Sequence, residues 1–167
     1  MQPADMERLW NEHCADEFSL HDVDATMSTM VEQPSVLNLP TLIGGQGHDG
    51  VRRFYTEDFI PTLPVDIALE PLSRTIGTQR LIDEMIVTMT HDREMPWILP
   101  GVAATGARIE IPLIAVVYFA DGKIAGERLW WDQASVLVQI GLLEPDGLPV
   151  HGIEVAQRLR SLGTGTS

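Results

Sequence analysis

Asp132 closes a β-type run directly after Trp130 and Trp131. A carboxylate behind two indoles is partly desolvated, and desolvation lifts its pKa toward the range useful for moving protons. The plainer alternative is an ion pair with Arg128 on the same face of the run. His91 ends a second β-type run, where an imidazole can act as a proton shuttle near neutral pH or simply as a hydrogen-bonded strand end. Glu84 alternates with Ile82 and Ile86; if that face is interior, the carboxylate needs a cation, which Arg74 or Arg128 could supply. Trp97 and Trp130 are candidates to line a ligand cavity as well as to fill core or interface. The common theme is proton transfer beside an apolar ligand.

Other chemistries find less support. The five histidines, His13, His21, His48, His91 and His151, show no His-x-His or His-x-x-x-His spacing, so no metal is expected. There is no Gly-x-Ser-x-Gly elbow for a serine nucleophile. The cluster Gly44-Gly45-Gln46-Gly47 lacks the lysine of a phosphate loop and reads as a turn. Cys14, the single cysteine, stands near Glu12, Asp16 and Glu17, which would raise its pKa and leave it inert.

The elements that must position these groups centre on a hairpin. Residues 109–119 are rich in Ile and Val and read as a strand buried on both faces. Asp121-Gly122 marks the turn into the second run, which starts at Ile124. A three-residue loop over 120–122 would pair Tyr118 with Ile124 and put it on one face with Gly126, Arg128, Trp130 and Asp132, the expected pocket wall. A two-residue turn would bring Phe119 and Val117 to that face instead.

Upstream, a helix is expected over 3–18, with Met6, Leu9, Trp10 and His13 on one stripe. A second helix should start at Asp22 or Asp24 and run through Met30. Residues 34–43 suggest a short strand pair or irregular edge, and Asp49 a cap for a third helix to Ile60 with Val51, Phe54, Tyr55 and Phe59 inward. Strands follow over 65–77 and 80–92, the second with Leu81, Asp83, Met85, Val87, Met89 and His91 on one face. Residues 95–107 form an apolar loop suited to a lid or dimer contact. A helix over 134–143, a linker over 144–149, a tail helix over 150–162 and a disordered end complete one domain whose core spans about 3–143.

The segment FADGKIAGERLWWDQASVLVQIGLL resembles the C-terminal signature of the SnoaL-like polyketide cyclases, in the nuclear transport factor 2-like superfamily that also holds ketosteroid isomerase. The stretch THDREMPWILPGVAATGARIEI is similar to the family's strand, TH corner and connection. The resemblance spans roughly 44–143 and implies an α+β cone, a curved, mostly antiparallel sheet wrapped around N-terminal helices. It implies a cofactor-independent acid/base enzyme acting on a small apolar carbonyl or polyketide-like compound, with Asp132 as acid/base. Where the cyclases carry a histidine before the DGKI turn, this chain carries Tyr118, a hydrogen-bond donor to an oxyanion rather than a base. The epoxide hydrolases of the superfamily want an Arg and an Asp two apart on one strand, facing another Asp; His91-Asp92-Arg93 offers neighbours on opposite faces, so an epoxide hydrolase-like activity ranks lower, as a further alternative. A ligand-binding or dimerisation module on the same cone is the alternative function.

Composition bounds the partners. A formal net charge of −13 speaks against a nucleic-acid backbone or an anionic membrane. No basic-then-apolar leader opens the chain, and the apolar runs are too short for a membrane helix, so the cytoplasm is the expected compartment. A homodimer through the sheet is expected from the resemblance and from apolar residues, Val116 and Trp131 among them, that need cover.

Overall fold

In the computed structural model, which describes residues 1–162, six strands form one sheet in the order β2-β1-β6-β5-β4-β3. The strands are β1 (Met30–Asn38), β2 (Ile43–Gln46), β3 (Ala68–Ile76), β4 (Arg80–Thr90), β5 (Arg108–Ala120) and β6 (Lys123–Trp131). All neighbours are antiparallel except β1 and β6, which run parallel. The helices are α1 (Pro3–Ala15), α2 (Val23–Ser28), α3 (Gly47–Arg53), α4 (Gln133–Gln139) and α5 (Glu154–Leu162). This is the expected curved α+β sheet, unclosed and packed on its N-terminal helices. Among the described residues no helix is long and apolar enough to cross a membrane. The end expected to be disordered lies outside the described residues.

Pro3 starts α1 where its missing N–H costs nothing, and the helix buries Met6, Trp10 and His13. Beyond Ala15 the turn widens into a π-helical segment, Asp16–Leu20, which ends at His21 with φ of 53°. Asp22 then caps α2, its Oδ1 accepting from the Ala25 N–H at 3.0 Å. The third helix begins at Gly47, earlier than the expected cap at Asp49, and continues as a π-helical turn, Phe54–Phe59. Val51, Phe54, Tyr55 and Phe59 face inward as their spacing implied.

One further expectation is settled and two change. Of the two readings of 34–43, the strand pair holds: β1 pairs with β2, though it starts earlier, at Met30, and carries Pro34 within a register irregularity between Met30 and Ser35 that accommodates its missing donor. The glycine cluster is not a turn: Gly44 and Gly45 belong to β2. There a Cβ on Gly44 would lie 2.0 Å from the Val36 carbonyl oxygen, and one on Gly45 2.3 Å from that of Gly50, so both positions exist for close backbone approach. Strand β5 is buried on one face only. Ile109, Ile111, Leu113, Ala115, Val117 and Phe119 are inside, while Ile114 is 43% exposed, because the layer of helices α1 to α3 covers a single side of the sheet.

The hairpin turn has two residues, Asp121 and Gly122, at φ of 51° and 77°, flanked by the pair Ala120 and Lys123. Tyr118 nevertheless pairs with Gly126 and keeps to the face of Arg128 and Trp130, because Ala125 is an extra residue bulged out of β6. The expected grouping of Tyr118, Gly126, Arg128 and Trp130 is therefore present by a different route, without Asp132, which lies beyond the end of β6. The grouping lies on the outer face of the sheet and walls no cavity.

Candidate active site

The inner face of β6 carries Glu127, 3% exposed, and the bulge at Ala125 is what turns it inward. An unbulged strand with Ile124 inside would have pointed Glu127 out and Arg128 in. Glu17 reaches the same point from the π-helical turn after α1, one helical step beyond His13. His13 Nε2 lies 3.1 Å from Glu17 Oε1 and 3.0 Å from Glu127 Oε1. Tyr55, from the turn after α3, donates its hydroxyl to Glu127 Oε1 at 3.1 Å and stands 3.2 Å from His13 Nε2. On the far side of the ring, His13 Nδ1 is 2.6 Å from Thr29 Oγ1. Since the Thr29 hydroxyl donates to the Thr26 carbonyl at 2.6 Å, Nδ1 must be the donor and Thr29 the acceptor.

These groups sit on an apolar cavity of about 50 Å³, with Glu17, Tyr55 and Glu127 in its lining. Trp10, Phe18, Phe54, Phe59 and Trp97 supply aromatic walls, and Asn38 a further polar group. Trp10 is fixed over His13 by ring stacking at 5.4 Å and by donating Nε1 to Asp83 at 2.7 Å. Asp83 is in turn clamped by Arg74 at 2.6 Å, so helix and sheet are tied through one indole.

The electrostatics follow from burial. Burial alone would lower the His13 pKa, but Glu17 and Glu127 outweigh it and raise it to about 10. Burial raises Glu17 above the ordinary carboxylate range, opposed by His13 and reinforced by Glu127. The Tyr55 hydroxyl is pushed well above its usual value by burial and by both carboxylates. Cys14 lines the cavity too, and its thiol is raised first by burial and then by Glu17 and Glu127, an inert setting.

The residues singled out from sequence lie elsewhere, with one exception. Asp132 is exposed and caps α4, accepting from Ala134 N at 2.9 Å and Ser135 N at 3.3 Å, since the strand ends one residue earlier and the chain turns into a helix. Tyr118 lies outside, its hydroxyl accepting from Arg128 at 3.0 Å beneath that guanidinium. Glu84 also faces outward and accepts from Ser73 at 2.9 Å, while Arg74 goes to Asp83. Trp130 is 39% exposed. His91 is buried beyond the cavity lining, its Nδ1 3.0 Å from Thr105 Oγ1 and its Nε2 without a partner among the described residues, and burial lowers its pKa. Trp97 alone of the set lines the cavity.

The signal that could have pointed to this buried cluster was the apolar stripe of α1. Continued by one step past His13 it arrives at Glu17, and an acid on an apolar stripe requires a buried partner.

No family model matches the chain, and no curated protein matches it. Solved structures do. A putative hydroxylase from Streptomyces galilaeus, AclR, is 21% identical, covers 86% of this chain and 100% of its own, and superposes with a TM-score of 0.65. A putative SnoaL-like polyketide cyclase from Jannaschia sp. CCS1 gives 15%, 83%, 94% and 0.64 for the same measures. A hypothetical protein with a ketosteroid isomerase-like fold from Catenulispora acidiphila DSM 44928, in complex with trimethylamine, gives 11%, 84%, 97% and 0.61. The chain therefore has the nuclear transport factor 2-like cone, the fold that SnoaL-like polyketide cyclases and ketosteroid isomerase-like proteins share.

Proposed function

We propose that the chain is an acid/base enzyme that moves a proton on a small apolar carbonyl compound held in this cavity, without an organic cofactor. The observation that carries the reading is the pairing of two buried carboxylates with one imidazole and one phenol at the edge of an otherwise apolar space. Glu127 and Glu17 are the groups that take and return the proton, and burial raises the Glu17 carboxyl above its ordinary range. The Tyr55 hydroxyl is the hydrogen-bond donor for a developing enolate oxygen. His13 positions both carboxylates and offsets their charge. The neighbours' printed names, polyketide cyclase among them, are compatible with such chemistry, which is one of many this fold hosts.

The test is hydrogen–deuterium exchange at the α-carbon of small ketones, cyclopentanone and 3-cyclohexenone first, followed by proton NMR in D2O. Wild-type protein is expected to accelerate exchange, and Glu127→Gln to lose about a hundredfold of that acceleration or more. Equal rates in wild type and in Glu17→Gln and Glu127→Gln would sink the reading.

Cavity size favours a second reading, ligand binding without turnover. At about 50 Å³ the space is smaller than the roughly 150 Å³ that accepts a benzene ring. Aromatic walls with two carboxylates also suit a small organic cation, and trimethylamine is the ligand named for one neighbour. Calorimetric binding of trimethylammonium by a chain that exchanges no ketone would decide for this alternative.

A further inference from the structure

We infer that His13, Glu17 and Glu127 form a divalent metal site, taking Mn²⁺, Fe²⁺ or Zn²⁺ at the point where their three side chains converge. Among the described residues they are the group of His, Cys, Asp and Glu whose ligand atoms come together, all within 4.8 Å of one another. All three are buried, at 0%, 3% and 3% exposure, so this is not a chance gathering of surface acids.

The argument begins at the far nitrogen of the ring. Thr29 has one hydroxyl hydrogen, and it is committed to the Thr26 carbonyl, so His13 Nδ1 must carry a hydrogen to be satisfied at 2.6 Å. That hydrogen bond fixes the ring with Nε2 turned toward the carboxylates, as the outer partners of metal-bound histidines do. Nε2 is then aimed at two carboxylate oxygens, so that three ligand atoms converge on one point. Something positive must occupy that point. Protons can do so, and so can one divalent ion, which with two carboxylates and a neutral imidazole gives a cluster of no net charge.

The spacing suits an ion. Donors at about 2.1 Å from a metal and at right angles to each other lie about 3.0 Å apart. The separations from Nε2 to the two oxygens are 3.0 Å and 3.1 Å. One imidazole with two carboxylates is a donor set for borderline divalent ions, and three donors on one side leave positions open. Those positions face the cavity, which Glu17 and Glu127 line, and the Tyr55 hydroxyl stands beside them. An ion here would meet any ligand that enters.

This inference does not rest on the acid/base reading, and its tests read metal rather than turnover. The full chain is stripped with EDTA, dialysed, and titrated with Mn²⁺ alone while the free-ion EPR signal is followed. Wild type is expected to take up one Mn²⁺ per chain. Glu17→Gln and Glu127→Gln should each weaken uptake about tenfold or more. Glu84→Gln and Asp49→Asn, acids remote from the cavity, should leave it unchanged. Thermal melts confirm that each variant is folded. If the buried variants fail to fold, pulsed EPR of the wild-type complex decides, because a site on His13 shows one directly bound imidazole nitrogen. No stoichiometric uptake, uptake insensitive to Glu17→Gln and Glu127→Gln, or bound Mn²⁺ without nitrogen coupling overturns the proposal.

Discussion

Asp132 holds the first turn of α4 by accepting from two backbone N–H groups, and the helix has no other side-chain cap at that end. Asp132→Ala should therefore cost about 1 kcal/mol of stability, typical of a lost N-cap, with ligand handling unchanged. Chemical denaturation measures the first part and the ketone assay the second; a large activity loss at unchanged stability would restore Asp132 as a candidate acid. His91 makes a different kind of residue-scale prediction. Burial lowers its pKa in the folded chain, so the unfolded chain binds the extra proton first. Its contribution is present in full above the unfolded value, about 6.5, and is lost as pH falls below that toward the lower folded value. Wild-type melting temperature should thus drop more steeply than that of His91→Asn between about pH 7 and pH 5. Parallel curves would mean that His91 takes up its proton without penalty. The two cases show why a strand-end aspartate and a strand-end histidine are hard to read from a sequence. Each is chemically competent, and what decides is whether the next residue begins a helix or a loop.

At the scale of the element, the bulge at Ala125 fixes which side chains of β6 meet the cavity. Removing Ala125 would take out the extra residue and keep Ile124 opposite Phe119 and Gly126 opposite Tyr118, so Glu127 stays inside and Arg128 outside. The deletion variant is therefore expected to keep a cooperative melting transition and intact Mn²⁺ uptake, because the faces of β6 do not change. A folded variant that has lost Mn²⁺ uptake would refute this account of the register. The hairpin itself was legible, since Asp121-Gly122 between apolar runs is a strong turn signal. So were the inward stripes of α1 and α3 and the alternation of β4, which follow from periodicity, although alternation alone leaves open which face of β4 is inner. The bulge was not, because Lys123-Ile124-Ala125-Gly126 contains nothing that says where an extra residue goes. With it went the identity of the site: gathering Tyr118, Arg128 and Trp130 on one face was sound, but polarity of that face meant solvent. The catalytic-looking acids were the ones hidden among hydrophobes, Glu17 on a helical stripe and Glu127 between Gly126 and Arg128. Periodicity places such residues inside but cannot say that three distant segments converge there.

For the whole molecule, the outer face of the sheet is the surface left without a layer over much of its width. Tail helix α5 covers one part, held by Arg160 to Glu110 and to Glu70. Elsewhere Ile82, Ile114 and Trp130 are 39%, 43% and 39% exposed, around Tyr118 with Arg80 and Arg128 over its ring. We expect this face to pair with a second copy, in an interface of apolar centre and guanidinium rim. Sedimentation velocity at micromolar concentration should give a dimer, and Ile114→Glu with Trp130→Glu should return a monomer with unchanged Mn²⁺ uptake. A wild-type monomer would remove the expectation.

The two π-helical turns bear on time as well as on space. Asp16–Leu20 and Phe54–Phe59 both border the cavity, and Phe18 meets Phe59 edge-on at 5.7 Å between ring centres. A π-turn holds its hydrogen bonds less well than an α-turn and can tighten by passing one residue along the helix. With so little room inside, a ligand of any size has to wait for such a rearrangement before it can enter. Uptake would then be governed by the protein's own opening, so the observed association rate would level off as ligand concentration rises, and would climb with temperature as a conformational step does.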